Sequence, residues 1–163
     1  WRYWWEKDTE YSQHCATYAG LLEPGPTAEL AKTIARHYNK AVIDVETNGH
    51  GIAVLSDLRD WSNKYMRVEI VKGQKTKQVG WLTTVRTKPF MIKEVKKLLP
   101  LMDIHDIDTV SQLRNIRQNG EDFDSVGMDD LFMSMAIAAA CRSGPQIKKG
   151  FVGQAGWKDS WAR

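Results

Sequence analysis

Apolar residues recur along the chain in short clusters, which are typical of strands, and at a spacing of three to four, which is typical of helices. The first clusters, from Trp1 to Glu6 and from Tyr11 to Ala19, are joined by four polar residues and predict an antiparallel hairpin. The run from Ala41 to Glu46 holds four apolar residues nearly together, as in an inner strand covered on both faces. Alternating residues predict a second hairpin, with one strand from Tyr65 to Val71 and its return from Val79 to Thr84.

Helical spacing fills the segments between these strands. After a loop over residues 20–26, Thr27 predicts an N-cap, and Leu30, Ile34 and Tyr38 predict the apolar face of the helix that follows. The remaining elements are predicted as helices from Ile52 to Trp61, from Thr87 to Leu99 and from Asp129 to Arg142, a short helix and strand within 106–116, and a polar loop over 117–124. Strands that alternate with helices predict an α/β fold, with a mixed central sheet flanked by helices and an additional β-hairpin.

Two adjacent carboxylates, Asp129 and Asp130, stand at the start of the last predicted helix. Residues 131–141 of that helix are apolar on every side, which predicts that it is buried. Two like charges at the edge of a core repel each other, and a divalent cation relieves this repulsion far more than a helix N-terminus does. The pattern leaves two interpretations open, a pair of capping carboxylates or part of a metal site.

Composition sets the class of protein. The chain has 163 residues, of which 42% are hydrophobic and 26% charged, and this balance predicts one folded domain, over residues 1–142, with a C-terminal tail over 143–163. A net charge of +3 permits a nucleic-acid partner without requiring one. We find no leader segment, no run of 18 apolar residues and no P-loop, so the sequence predicts neither secretion, nor a membrane partner, nor ATP hydrolysis.

Glu46 ends the predicted inner strand, and sites in open α/β sheets gather beyond the carboxyl ends of strands. With Asp129 and Asp130 it would supply hard oxygen ligands of the kind that two Mg²⁺ or Mn²⁺ ions use. Taken alone, Glu46 fits a turn or a capping carboxylate equally well. The tip of the second hairpin carries three lysines that fit either a solvated loop or contacts with DNA phosphates, namely Lys72, Lys75 and Lys77.

Three segments carry recognisable motifs. They read Tyr38-Asn39-x-Ala41-x-Ile43-x-x-Glu46-x-Asn48-x-x-Gly51, then Val79-Gly80-Trp81-x-Thr83-x-x-x-Thr87-Lys88-Pro89, then Gly127-Met128-Asp129-Asp130-Leu131-x-Met133-Ser134-x-Ala136. In this order they resemble the nuclease domain of the large terminase subunit of tailed phages. The third segment resembles that family's signature Gly-His-Asp-Asp-Leu-x-Met-Ala-x-Ala, and the three together span most of the chain.

The resemblance implies an RNase H-like fold and a metal-dependent DNA endonuclease, which cuts concatemeric viral DNA during packaging by two-metal phosphodiester hydrolysis. It implies that Glu46 is the second catalytic acid and that Asp129 and Asp130 supply the third. The same three carboxylates would bind Mg²⁺ or Mn²⁺.

Other residues acquire roles through the same resemblance. Asn48 and Gly51 would shape the turn that presents Glu46, and Lys88 would contact a phosphate. The partners that it implies are double-stranded DNA, the terminase ATPase domain, the small terminase subunit and the portal. The place of action would be the cytoplasm of the infected host.

The sequence also departs from the family. The family's first acid ends a strand upstream of the one that here begins at Trp1, and Met128 stands where the family often has histidine. We therefore expect a fragment that lacks this strand and the ATPase motor, binds metal weakly and cuts DNA poorly by itself. If another residue supplies the first acid, Asp44 is the first to examine. Two alternatives stay open, another RNase H-like nuclease of the transposase or resolvase type, and a catalytically incomplete module that binds DNA or packaging partners.

Overall fold

A computed structural model gives the structure of residues 1–71, 73–119 and 122–142. Within these ranges the chain is mixed α/β, with helices and small sheets. The helices are α1 (Pro24–His37), α2 (Gly51–Asp57), α3 (Thr87–Leu98), α4 (Ile107–Arg114) and α5 (Asp130–Arg142), with a short 3₁₀ turn at Leu99–Leu101. The strands are β1 (Arg2–Glu6), β2 (Thr9–Gln13), β3 (Met66–Val71), β4 (Gln74–Val79), β5 (Met102–Asp103), β6 (Ile116–Asn119) and β7 (Asp122–Ser125).

The first predicted hairpin is confirmed. Strands β1 and β2 pair antiparallel, with Arg2 opposite Gln13 and Glu6 opposite Thr9, and β2 ends earlier than the apolar pattern predicted. On its other side β2 pairs in parallel with the two-residue strand β5, which completes a three-stranded sheet. This parallel pairing joins residues about 90 positions apart, and no local pattern signals it.

The segment Ala41–Glu46, predicted as a regular inner strand, is extended but pairs only through isolated parallel bridges. Ile43 bridges to Lys64, and Glu46 bridges to Trp81. The backbone partner of the segment changes from 63–65 to residue 81 between these two points, so neither ladder continues beyond one bridge. The described residues therefore hold three small sheets, β1-β2-β5, β3-β4 and β6-β7, in place of one central sheet.

Side chains alternate along this extended segment, as they do along a strand. Ile43 and Val45 belong to a core with residues of α1 and the end of α2, which includes Ala28 and Leu58. On the opposite face, Asp44 reaches Cys141 of α5, which belongs to a larger core built mainly from α3 and α5. The segment consequently contacts helical residues on both of its faces. The mixed α/β class is the part of the fold prediction that the structure confirms.

The strands of the second hairpin have different bounds from the predicted ones. Strand β4 runs from Gln74 to Val79 instead of starting at Val79, and Val71 pairs directly with Gln74. Gly73 adopts φ +80°, the left-handed conformation that a tight hairpin turn needs and that glycine reaches without steric cost. Because the turn is so short, the return strand begins five residues earlier than the apolar pattern indicated.

Helix α1 also begins earlier than predicted. It starts at Pro24, and the Thr27 hydroxyl donates to the Glu23 carbonyl at 2.9 Å instead of capping the helix. Prolines fit the first helical turn because its N–H groups have no partner within the helix. The buried face is likewise different, since Ala28, Lys32 and Ala35 are buried, Leu30 and Ile34 are half-buried, and Tyr38 is exposed.

Helices α3 and α5 follow the prediction within one residue at each end, and α5 is buried along most of its length. Helix α4 lies within the range 106–116, for which a short helix and strand were predicted. In α3, Ile92, Val95 and Leu98 are buried, whereas Leu99, which follows the helix, lies at the surface. The predicted polar loop is wrong, because β6 and β7 form an antiparallel hairpin there through their backbones. The predicted tail over 143–163 lies outside the described residues.

Candidate functional site

The first two motif segments meet directly beside Glu46. The Trp81 carbonyl accepts hydrogen bonds from the backbone N–H of Thr47 at 2.6 Å and from the Thr47 hydroxyl at 2.8 Å. The Trp81 N–H in turn donates to the Val45 carbonyl at 2.9 Å. Glu46 is half-buried between these two anchors, so the backbone that carries its carboxylate is fixed on both sides.

Asn48 extends this pairing with its side chain. Its amide nitrogen donates to the Thr83 carbonyl at 2.8 Å, and its amide oxygen accepts from the Thr83 N–H at 3.1 Å. The two bonds imitate a pair of strand residues and join the turn after Glu46 to the loop before α3. That loop ends in a reciprocal cap, in which the N–H groups of Thr84 and Thr87 each donate to the hydroxyl of the other.

Two glycines allow these segments to approach so closely. A Cβ atom on Gly51 would lie 1.7 Å from the Glu46 carbonyl oxygen. A Cβ atom on Gly80 would lie 2.5 Å from the Val45 carbonyl oxygen, and Gly80 adopts φ +76°. In both cases the obstacle is backbone, which cannot swing aside as a side chain can. The geometry around Glu46 therefore requires glycine at both positions.

Asp44 lies two residues before Glu46 and on the same face of the extended segment. The Cys141 thiol donates to its carboxylate at 2.5 Å, and the other carboxylate oxygen is buried without a hydrogen-bond partner. Burial raises the pKa of Asp44 to about 6, an effect that the Cys141 hydrogen bond partly offsets. Burial also raises the pKa of the Cys141 thiol far above its usual range, so this thiol keeps its proton and acts as a donor.

The predicted carboxylate pair lies at the start of α5. Asp129 is half-buried and accepts a hydrogen bond from the Ser125 hydroxyl at 3.0 Å, whereas Asp130 is exposed. The N–H groups of Leu131 and Phe132, which have no acceptor within the helix, donate to the side-chain oxygen of Gln112, at 2.8 and 3.1 Å. Gln112 thus fills the capping role that one interpretation of the sequence gave to the aspartates.

The donor chemistry of Glu46, Asp129 and Asp130 suits a hard divalent cation. Within the described ranges, however, no group of three or more histidine, cysteine, aspartate or glutamate side chains is placed so that it could hold a metal ion. Asp44 contacts the last turn of α5, at Cys141, while Asp129 precedes its first turn, so the length of the helix separates these two acids. As placed, the residues do not form a ready metal site.

The predicted DNA-contacting lysines lie at separate places. Lys75 and Lys77 are exposed on one face of β4, opposite Ile70 and Val68 in β3. Lys88 is half-buried in the first turn of α3, near the loop that Asn48 holds. Lys72 lies outside the described residues.

Three features of the site are not predicted by the sequence. The Asp44–Cys141 contact had one signal, an acid inside an otherwise apolar run, which predicts a special partner. Apart from its place in a motif, nothing in the sequence indicates that Gly80 lies close to the segment Ala41–Glu46. The Gln112 cap on α5 had none, because an ordinary glutamine of α4 reaches a helix that starts many residues later.

Comparison of the chain with protein-family models, with curated proteins and with solved structures finds no match. Among the helices of the described ranges, none is both long and apolar enough to span a membrane. The likeness of the three motifs to terminase nucleases thus stays a prediction from the sequence, on which only the geometry around Glu46 now bears.

The environment of Asp44 gives a pH-dependent prediction. Its pKa is about 6 in the folded chain against 3.8 as an ordinary aspartate, so the folded state binds the proton more tightly. The contribution of Asp44 to folding stability should therefore fall as the pH rises from about 4 to about 6 and stay lower above that range. We expect Asp44→Asn to stabilise the chain by about 1–3 kcal/mol at about pH 8 and by almost nothing at about pH 4.

Urea unfolding in EDTA, followed by tryptophan fluorescence at both pH values, measures this difference. Asp8→Asn in the exposed turn between β1 and β2 is the matched control, which should change stability little at either pH. An Asp44→Asn variant that is destabilised at high pH would show that the ionised carboxylate makes a favourable contact.

Proposed function

We propose that the chain is the RNase H-like nuclease domain of a phage DNA-packaging terminase, a metal-dependent endonuclease that acts on double-stranded DNA. The observation that supports this proposal is the pairing of the first two motif segments beside Glu46. The first two are joined through the Glu46–Trp81 bridge and the Asn48–Thr83 bonds. The third begins α5, whose last turn reaches Asp44 through Cys141.

In this proposal Glu46, Asp129 and Asp130 would hold Mg²⁺ or Mn²⁺, which would supply Lewis acidity and positive charge for phosphodiester hydrolysis. The carboxylates are not assembled in the described residues, so binding of DNA and ions has to draw them together. Asp129 belongs to the connection between β7 and α5, where Gly127 adopts φ +98°, whereas Glu46 is fixed by its backbone pairing. The proposal therefore requires Asp129 to move toward Glu46 when DNA and ions bind.

Removal of either acid should abolish most of the activity. Glu46→Gln and Asp129→Asn keep the size of each side chain and remove its charge, and we expect each to lower nicking of supercoiled plasmid about a hundredfold. The measurement is the initial nicking rate in Mn²⁺, with EDTA as the metal-free reference. Activity of the unaltered chain is expected to be slow.

Two exposed acids away from the proposed site provide the control. Glu6→Gln at the end of β1 and Asp108→Asn in the first turn of α4 change the net charge equally and should leave the rate unchanged. Nicking that persists in both Glu46→Gln and Asp129→Asn would place the active site elsewhere.

The β3–β4 hairpin is proposed to add phosphate contacts without reading bases. Lys75→Glu together with Lys77→Glu should weaken binding of duplex DNA about tenfold near 50 mM salt, and the difference should shrink near 200 mM. Lys93→Glu with Lys97→Glu, on the exposed face of α3, is the control of equal charge. Unchanged affinity at low salt would show that the hairpin lysines are merely solvated.

A second candidate function has its own support. The lack of a three-residue metal group in the described ranges fits a noncatalytic RNase H-like module that binds DNA or packaging partners. Such a module would bind duplex DNA with the same salt dependence but would nick plasmid no faster in Mn²⁺ than in EDTA. The nicking assay above separates the two functions.

A further inference from the structure

A cavity of about 190 Å³ lies between the first hairpin, α4 and α5. One wall comes from the segment that leaves β2, and the opposite wall comes from one residue of α4 and two of α5. The lining residues are Trp1, His14, Ala16, Thr17, Tyr18, Thr109, Leu131 and Ser134. They combine aromatic rings with hydroxyl groups and include neither lysine nor arginine.

The aromatic wall is rigid on one side. The rings of Trp1 and His14 are stacked, with centroids 4.6 Å apart and planes 7° from parallel. His14 is only 8% exposed, and its Nε2 lies 3.1 Å from the Ala16 carbonyl and 2.7 Å from the Thr17 hydroxyl. A carbonyl can only accept, so Nε2 carries the proton, and burial lowers the pKa of His14, which keeps the ring neutral.

Tyr18 forms the outer part of the same wall. Its side chain is half exposed, and its hydroxyl lies so close to Gly20 that a Cβ atom there would come within 2.6 Å of it. The missing side chain at residue 20 therefore leaves room for the ring. Two aromatic residues, Trp1 and Tyr18, line a space into which a third flat ring could enter.

The position of the cavity links it to the proposed nuclease site. Ser134 follows Asp130 by four residues on α5, so the two side chains lie on the same face of the helix, about 6 Å apart along its axis. Leu131 directly follows Asp130. A nucleotide whose phosphate lies at Asp129 and Asp130 would have its base one helical turn further along, at the cavity.

We propose that this cavity receives an unpaired base of the DNA strand whose phosphate lies at Asp129 and Asp130. This inference rests on the proposed nuclease function and adds a base subsite to it. A neutral lining of aromatic rings and hydroxyls fits a base, which offers a flat π-face and hydrogen-bonding edges, better than it fits a phosphate. The occupant is thus a base from a frayed or locally opened strand.

The test uses the whole chain with Ca²⁺ in place of Mg²⁺ or Mn²⁺, so that a cation can hold the phosphate at Asp129 and Asp130 while binding is measured. The probes are a short fluorescein-labelled single-stranded oligonucleotide and the same backbone with abasic sites throughout, both followed by fluorescence anisotropy. We expect the unaltered chain to bind the base-containing strand about tenfold more tightly than the abasic one, which is the range of a single stacked base.

Two variants change the cavity in different ways. Ser134→Leu fills it from an exposed helical position, and Tyr18→Ala removes one aromatic residue without touching a buried group. Each should erase the preference for the base-containing strand and leave affinity for the abasic strand unchanged. Ser56→Leu, at an exposed position of α2, is the matched control and should keep the full preference.

Each result decides the proposal. A preference for the base-containing strand that survives both variants would overturn the base subsite, and so would an equal loss of affinity for both probes. Neither result bears on the nuclease, which the nicking assay tests. Binding of free dAMP as tightly as the oligonucleotide would overturn the assignment to a DNA strand. Loss of base preference in both variants, in a chain that never nicks plasmid, would support the subsite and reject the nuclease.

Discussion

Gly51→Ala is expected to lower the free energy of unfolding by about 3 kcal/mol or more. The new Cβ atom would fall 1.7 Å from the Glu46 carbonyl oxygen and 2.9 Å from its carbonyl carbon. Both obstacles are backbone atoms, so relief requires the turn after Glu46 to open and the Asn48–Thr83 bonds to break. Urea unfolding followed by circular dichroism measures the loss, and plasmid nicking should fall with it.

Gly49 provides a matched control in the same turn. It adopts φ +57°, and no atom lies within 4 Å of a Cβ placed there. Gly49→Ala should therefore cost only the left-handed backbone penalty, about 1–2 kcal/mol, and Gly49→Asn still less. A Gly51→Ala variant no less stable than Gly49→Ala would show that the turn is looser than the close approach to Glu46 indicates.

The second large effect is expected at Arg142, in the last turn of α5. Arg142 is 8% exposed and bonds Glu94 of α3 at 2.7 Å and, through its other terminal nitrogen, Glu10 of β2. This ion cluster joins three elements beneath the first hairpin. A buried charge that loses its partner costs far more than the intact pair contributes, because the remaining charge stays desolvated.

Arg142→Met should therefore destabilise the chain by about 3–5 kcal/mol at neutral pH, since it removes the guanidinium that bonds two largely buried carboxylates. Adding Glu94→Gln should recover part of that loss. Arg114→Met is the control, because Arg114 also ends a helix but is exposed, and it should change stability by about 0.5 kcal/mol or less. Urea unfolding compares the four chains, and an Arg142→Met variant as stable as Arg114→Met would contradict a stabilising role for the cluster.

Helical elements could be predicted well where one strong local signal defines them. The apolar run over 131–141 predicts a buried helix, and α5 is one. Thr87 with Pro89 predicts the start of α3, where the reciprocal Thr84–Thr87 cap is found. The sequence predicts the start of α1 too late, because its two prolines also fit a loop, although the first turn of a helix accepts them.

The pairing of strands was less predictable, because it depends on distant residues. Nothing in Ala41–Glu46 indicates that its backbone partner changes from 63–65 to residue 81 after one bridge. The β2–β5 pair and the polar hairpin β6–β7 are likewise held by backbone bonds, which leave no apolar pattern in the sequence. Side-chain periodicity reports burial, whereas these elements are defined by their backbone hydrogen bonds.

The candidate site was predictable in its parts and not in its assembly. The motifs include the turn after Glu46 and the segment around Trp81, but they do not indicate that the two pair through their backbones. They could not indicate that Gln112 caps α5, that Cys141 contacts Asp44, or how far Asp129 lies from Glu46, since each depends on the packing of whole helices. Whether the three acids share an ion stays a prediction.

The most direct test of the proposed site is anomalous diffraction from crystals of the chain grown with Mn²⁺ and a short duplex DNA. We expect a manganese peak bound by both Glu46 and Asp129, with Asp130 beside it and a second ion about 4 Å away when DNA is bound. The same crystals of Glu46→Gln should lose the peak. Glu46 and Asp129 on different surfaces, with no ion between them at saturating Mn²⁺, would contradict the proposed active site.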